Sequence, residues 1–470
     1  MSSSPATGET FLVIGGCGFL GHNLASALIG RGESKVHIVD VRPPPQHLLL
    51  DKATYHTGDI TELNSIKDVI FKVKPDAIFH TASPVAVASL SQQIMEKVNV
   101  EGTRNVVEAA KATNVRKLIF TSSASVVFTG EDLVYGDERL PFPENIFDVY
   151  SQTKATAETI VLEANTPDSD KGVVPKTGLR TVAIRPAGIF GPNDRQAIPG
   201  FFNTLASGKS KYQIGNNTNL FDWTYVDNVS HAHLLASDRL ETNGYDVRLL
   251  ASFHLPRVLG EEERPERGVP TSERRPDVSG AKDYARSLPS TLSSTTREET
   301  LDVRPVVRNK YDQFFHFVHP DVPSPNSPLP EVPLTSEYIP VAGEAFFVTN
   351  GQPMPFWDFA RALWSQVSPS FVASGGKPWV ISKDIGLTLG GLSETFGWLT
   401  GKEVTLTKFK VAFSCATRYY NIEKARRVLG YEPRVGMQEA IKRSADWWMS
   451  TPDGQAFKAQ EAGKKVAVAQ

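Results

Sequence analysis

Across the first quarter of the chain, short and nearly continuous apolar runs alternate with longer stretches of mixed polarity. The runs occupy residues 11–15, 35–40, 53–60, 76–83 and 117–123 and are rich in Val, Ile and Phe. Between them, residues 22–30, 62–73 and 92–113 read as helices. Runs that are apolar throughout, rather than alternating, fit strands buried on both faces. Strands and helices in alternation then predict a parallel sheet covered on both sides. A sixth strand at 179–186 follows a helix that carries Tyr150 and Lys154. The expected fold class is α/β, with a doubly wound parallel sheet.

Beyond Gly188 the pattern changes. Gly-, Asn- and Pro-rich loops at 188–194 and 213–219 alternate with short apolar segments. A smaller C-terminal substrate-binding part, assembled over the carboxyl ends of the strands, would have this character. From 246 onward regularity collapses, and 258–280 is dense in charge, Pro, Ser and Gly. Such a composition buries too little apolar surface to offset ordering entropy. Residues 246–334 are therefore expected to form a disordered or loose insertion. Order resumes near Gly343, and there are no internal repeats. The organisation expected is a first unit at 8–245, the insertion at 246–334, the remainder of the substrate-binding part at 335–450, and a tail at 451–470.

Composition narrows the function classes. The chain has 470 residues, 40% of them apolar, and a formal net charge of −2. It has no overall basic excess to neutralise phosphates, so nucleic acid is not expected as a partner. Cys17 and Cys415 are the only cysteines, which excludes a disulfide scaffold and a cysteine zinc cluster and suits a reducing, cytosol-facing compartment. The N-terminal stretch lacks a basic segment followed by an apolar one, so no secretory leader is expected. The most apolar late segment, 379–399, is interrupted by Lys383, Asp384 and Glu394. It reads as a buried helix or, alternatively, as an apolar surface that lies on a membrane without crossing it.

Candidate chemistry begins at Gly15, Gly16, Gly18 and Gly21. These glycines follow the first strand and open the first helix, matching both G-x-x-G-x-x-G and G-x-G-x-x-G. Side chains there would keep the backbone from a pyrophosphate, while the helix N-terminus supplies N–H groups and positive potential. Asp40 ends the second strand about 20 residues on, where a carboxylate accepts hydrogen bonds from a ribose. The plan is Rossmann-like and the expected cofactor is NAD. Asp40 would repel a 2′-phosphate, although Arg42 leaves NADP open.

Tyr150 and Lys154 form a Tyr-x-x-x-Lys, and residues four apart share a helix face. A phenol near pKa 10 is a poor base at neutral pH, and a neighbouring ammonium would favour the phenolate. The spacing is not specific, since Tyr420 and Lys424 repeat it. The first pair has better context, because Thr121-Ser122-Ser123-Ala124-Ser125 places hydroxyls at the end of the fifth strand.

Glycine loop, serine strand end and Tyr-Ser-Gln-Thr-Lys together resemble the extended short-chain dehydrogenases. Further along, 183–201, 213–236, 343–364, 397–409 and 417–433 are similar to the 3β-hydroxysteroid dehydrogenase branch, and within it to fungal sterol-4α-carboxylate 3-dehydrogenases. The resemblance implies Tyr150, Lys154 and Ser123 as catalytic residues, with Ser122 the competitor for the last role. It implies a cofactor site formed by Gly15, Gly18, Phe19, Leu20 and Gly21, with Asp40, Asp59, Ile60, Thr81, Ala82 and Pro186, and with Tyr150 and Lys154 also touching the cofactor. Asp59 is equally readable as a turn aspartate. The reaction implied is NAD(P)-dependent oxidation of a 3β-hydroxyl on a 4α-carboxysterol, followed by loss of CO₂ with no metal. Also implied are a sterol substrate, peripheral contact with the endoplasmic reticulum membrane, contact with other enzymes of sterol C-4 demethylation, and a homodimer. Phe201, Phe202, Phe221 and Trp223 read as pocket lining or as core. The alternatives are a 3β-hydroxysteroid dehydrogenase of a specialised steroid or triterpenoid pathway, a nucleotide-sugar epimerase or dehydratase, and an NAD-sensing protein without turnover.

Overall fold

The computed structural model describes residues 5–84, 91–144, 146–168, 174–242, 245–246, 338–373, 378–400 and 406–468. Seven parallel strands build the main sheet: β1 (Thr10–Ile14), β2 (Lys35–Asp40), β3 (Ala53–Thr57), β4 (Ala77–His80), β5 (Lys117–Thr121), β6 (Arg180–Pro186) and β7 (Ala345–Val348). Their spatial order is β3-β2-β1-β4-β5-β6-β7, so the chain reverses direction across the sheet between β1 and β4. A crevice forms beyond the carboxyl ends of the strands at such a reversal.

The apolar runs form strands here because both faces are covered. Phe11 and Val13 of β1 point into a core shared with Leu24 and Leu28 of α1 (Phe19–Arg31). Leu12 and Ile14 point the other way, to Ile66 and Ile70 of α2 (Leu63–Val73), Val106 of α3 (Gly102–Ala112) and Val161 of α4 (Val149–Glu163). The two-residue period of a strand thus divides one apolar run between two cores. A later helix, α5 (Val226–Arg239), packs beside α1, its Leu235 and Ala236 joining the first core. Gly32 stops α1 in the left-handed region at φ 99°, where its N–H reaches Ile29 O at 3.0 Å.

Two pieces of the C-terminal half complete this layer. β7 pairs with β6 from Ala345↔Ala183 to Val348↔Pro186, and the ends of the expected insertion meet as an antiparallel pair, Tyr245↔Ile339 and Asp246↔Tyr338. Apart from Asp246, the expected insertion at 246–334 lies outside the described residues.

A second core is aromatic. Phe202 stacks on Trp448 with ring centroids 4.0 Å apart, and Trp223 stacks on Phe359 at 4.1 Å. Phe202, Phe221 and Trp223 are buried in this cluster and Phe201 packs against it, so the core reading applies to these four. Within the expected tail at 451–470, Pro452–Val468 is a helix whose Phe457 packs on Trp448, and whose Glu461 accepts from Ser368 at 2.9 Å. Its Ala-, Lys- and Gly-rich sequence shows little apolar periodicity, so the packing rests on those few contacts.

Candidate active site

The glycine turn has a geometry that side chains would destroy. Gly15 sits at φ 78°, and a Cβ there would lie 2.6 Å from the backbone of Ala82. At Gly21 a Cβ would meet Gly15 O at 2.4 Å. Thr81 holds the far wall, its hydroxyl donating to Ile14 O at 2.8 Å. No side chain caps α1 and no acid lies in its first turn, so the amides of Phe19 and Leu20 open the helix beside the turn. Uncapped amides at a helix start attract an anion. Asp40 is tied into the same turn, accepting from Cys17 N at 3.1 Å and Val41 N at 2.8 Å. The cradle fits the pyrophosphate and ribose of a dinucleotide.

Asp59 accepts from Thr61 N at 2.8 Å, the geometry of a turn aspartate. Ile60 is a core residue, packed under Gly102 where α3 begins. Pro186 ends β6, buried and opposite Val348.

Tyr150 lies in the first turn of α4. Asp148 caps that helix, accepting from Ser151 N and Ser151 Oγ, each at 2.9 Å. Ser123 opens a short turn after β5, where its hydroxyl accepts from Ser125 N at 3.2 Å. The Tyr150 phenol hydrogen-bonds with both Ser83 and Ser123. Burial, then Asp148, pushes its pKa up to about 12, and those two hydrogen bonds oppose the rise. Ser122 is buried, with no hydrogen-bond partner for its hydroxyl among the described residues, whereas Ser123 meets the phenol.

Lys154 departs from the simplest expectation. Its ammonium donates to Thr121 O at 2.5 Å and lies 4.1 Å over the Phe120 ring. Burial pulls its pKa down to about 7, with Glu158 opposing. The charged side chain that raises the Tyr150 phenol is Asp148. Glu158, one helical turn further on, is itself paired to Arg185 of β6, with Nε–Oε distances of 3.0 and 3.1 Å. That buried pair fixes the face of α4 that carries Lys154.

The family model of the 3-beta hydroxysteroid dehydrogenase/isomerase family matches residues 12–253. The decarboxylating sterol-4-alpha-carboxylate 3-dehydrogenase of Saccharomyces cerevisiae is 33% identical over 93% of this chain and 97% of its own length. The chain belongs to the 3-beta hydroxysteroid dehydrogenase/isomerase family. The corresponding human protein is 28% identical, over 92% of this chain and 86% of its own. Among solved structures, Bordetella bronchiseptica WbmH in complex with NAD+ superposes with a TM-score of 0.55 at 15% identity, covering 94% of this chain and 98% of that one. Thermus thermophilus UDP-glucose 4-epimerase in complex with NAD gives 0.55 at 16%, covering 94% and 99%. These structures share the fold.

The structure adds residues to this family member's site that its motifs do not mark. Asn99 lies in a π-helical turn, Glu96–Glu101, where it accepts from Ser83 Oγ at 2.9 Å and donates to Thr153 Oγ at 2.9 Å. Thr153 donates in turn to Tyr150 O at 3.0 Å, so Ser83 meets the phenol while Asn99, through Thr153, steadies the main chain of Tyr150. Arg195 reaches back to Cys17 O at 3.3 Å and sets a guanidinium over the glycine turn. Neither position has a local signal, since each acts across many residues of sequence.

The second Tyr-x-x-x-Lys serves the packing. Tyr420 stacks on Phe347 and donates to Ala124 O at 3.0 Å, while Lys424 pairs with Glu344 at 2.5 Å. Burial, then Asp40, pushes the Cys17 thiol up to about 12, with Arg195 opposing, which favours the uncharged thiol. Among the described residues no group of three or more His, Cys, Asp or Glu could hold a metal ion.

Proposed function

We propose that this protein oxidises the 3β-hydroxyl of a sterol 4α-carboxylic acid to the ketone, with NAD(P) as cofactor, and that CO₂ is then lost. The observation that carries this reading is the hydrogen bond between Tyr150 and Ser123 beyond the carboxyl end of β5, in a chain with 33%-identical relatives named for that reaction. Bound oxidised nicotinamide dinucleotide supplies the hydride acceptor and a positive charge. Phe19, Leu20 and the glycines would hold its phosphates, Asp40 its ribose, and Lys154 would hydrogen-bond the second ribose. A carboxylate at Asp40 disfavours a 2′-phosphate, which favours NAD over NADP.

Ser123 holds the substrate hydroxyl and Tyr150 takes its proton as the C3–H bond is given up. The product is a β-keto acid. Its C4–carboxyl bond breaks with the electron pair passing into the C3 ketone as an enolate, which then takes a proton. The test is turnover of a 4α-carboxysterol with NAD, measured against UDP-sugars. Oxidation of the sterol alone is expected; turnover of a UDP-sugar alone would contradict the assignment.

The substrate class also gives meaning to the segment 379–399, which is not simply buried. Trp379 is 76% exposed, and on the helix Lys383–Thr400 so are Leu392 at 64%, Phe396 at 59% and Leu399 at 69%. No described helix is long and apolar enough to cross a membrane. This face, flanked by Lys383 and Lys408, lies on a bilayer that holds the sterol. Flotation with anionic liposomes is expected for the wild type and lost in Leu392→Asp/Phe396→Asp. Equal flotation of both would remove this surface from the account.

A further inference from the structure

Among the described residues, Arg418 is a buried cation with no anion paired to it. It opens the strand Arg418–Tyr420, and only 7% of its surface is exposed. Its guanidinium lies against three rings, 4.5 Å from Phe128, 4.8 Å from Phe221 and 4.4 Å from Phe413. Among the described residues no carboxylate stands within ion-pair reach of it. The comparably buried Arg180 and Arg185 are instead matched to Asp168 and Glu158. Arginine does not shed its proton, and aromatic faces offset only part of the cost of desolvating it. The fold thus maintains an electrostatic deficit that a bound anion would relieve.

The deficit sits beside the reacting groups. Phe128 closes the turn that Ser123 opens. Tyr420, two residues beyond Arg418, donates to Ala124 O in the same turn. Asp148 is close enough to act on both the Tyr150 phenol and the Arg418 guanidinium, yet Ser151 holds both of its oxygens. Burial lowers the pKa of Arg418 from the usual arginine value, and Tyr420 and Asp148 only partly oppose this.

We infer that Arg418 receives the carboxylate of the substrate and so selects a β-hydroxy acid over a plain 3β-alcohol. This rests on the sterol-acid reading above, in which the carboxyl group is one carbon from the alcohol. Ion pairing orients the C3–H bond while hydride leaves C3 and Tyr150 takes the hydroxyl proton. When the C4–carboxyl bond breaks, CO₂ departs and the enolate is protonated. The neutral ketone then has no charge for Arg418 and is released.

The test compares kcat/KM for a 4α-carboxy-3β-hydroxysterol with that for the same sterol carrying 4α-methyl instead. The wild type should prefer the acid by about 100-fold, as sites built around a buried polar group do. In Arg418→Met that preference should collapse to within about threefold of unity, chiefly through KM for the acid. Arg418→Lys should recover part of it, and serves as the comparison if Arg418→Met does not fold. Ligand-free Arg418→Met should melt no lower than the wild type, because an uncompensated buried charge has been removed. If the wild type oxidises the acid and the variants keep the same preference, or lose both substrates equally, the role of Arg418 is overturned. If the wild type oxidises neither sterol, the sterol-acid reading falls first and takes this inference with it.

Discussion

Tyr150→Phe should lower kcat/KM for sterol oxidation by about a thousand-fold while leaving the dissociation constant for NAD within about twofold. The phenol is the group that meets Ser123, and Phe preserves the ring but leaves no acceptor for the hydroxyl proton. Folding should survive, since Asp148 caps α4 through Ser151 rather than through Tyr150. The pH profile follows from the same residue. Burial and Asp148 hold the free-enzyme phenol near 12, so its phenolate fraction rises about tenfold per pH unit through the neutral range. Oxidation should therefore accelerate as pH rises, until the phenol titrates in the cofactor-bound protein, and Tyr150→Phe should lose this dependence. Stopped-flow absorbance at several pH values reads both effects. A variant with near-normal rates, or with an unchanged pH slope, would show that the base is another group.

Gly15→Ala should weaken NAD binding by about 100-fold or more and lower the melting temperature. Two costs combine here. A left-handed φ of 78° strains any L side chain by roughly 1–2 kcal/mol. The new Cβ would also lie 2.6 Å from the main chain of Ala82, which has no flexible end to move away. The turn must shift, and the amides of Phe19 and Leu20 shift with it. Gly8→Ala separates the two causes, because Gly8 has φ 76° but nothing within 4 Å of the added carbon. It should cost a little stability and leave NAD affinity intact. Fluorescence titration and calorimetry on both variants decide the matter; normal NAD binding in Gly15→Ala would show that the cradle does not hold the cofactor.

The parts of the fold that were legible in the sequence are those in which local pattern and buried environment agree. Strands β1, β2, β4, β5 and β6 are largely apolar runs because both of their faces are covered, whereas the edge strand β3 is half exposed, and the glycines stand where β1 meets its helix. β7 was harder to read as part of the same sheet. It lies about 160 residues beyond β6, and its place at the edge depends on pairing that no local pattern states. Residues 92–113 read as one helix, yet the run passes through the π-turn Glu96–Glu101 that aims Asn99 at Ser83 and Thr153. The Tyr150–Ser123 pair was accessible by motif, whereas the position of Lys154 on Thr121 O and Phe120 was not. Arg418 had no signal at all, because its meaning lies in three rings from distant segments and in the anion it lacks.

The central claim is that one proton-and-hydride step on the alcohol is enough to release the neighbouring carboxyl group. It is tested most directly with a 4α-carboxysterol carrying deuterium at C3 and ¹³C in the carboxyl group, incubated with the wild-type protein and NAD. Mass spectrometry should find deuterium in the reduced dinucleotide, ¹³CO₂ in equal amount, and a 3-keto sterol lacking the carboxyl carbon. Deuterium retained on the sterol, or ¹³CO₂ released without reduction of the dinucleotide, would contradict the account.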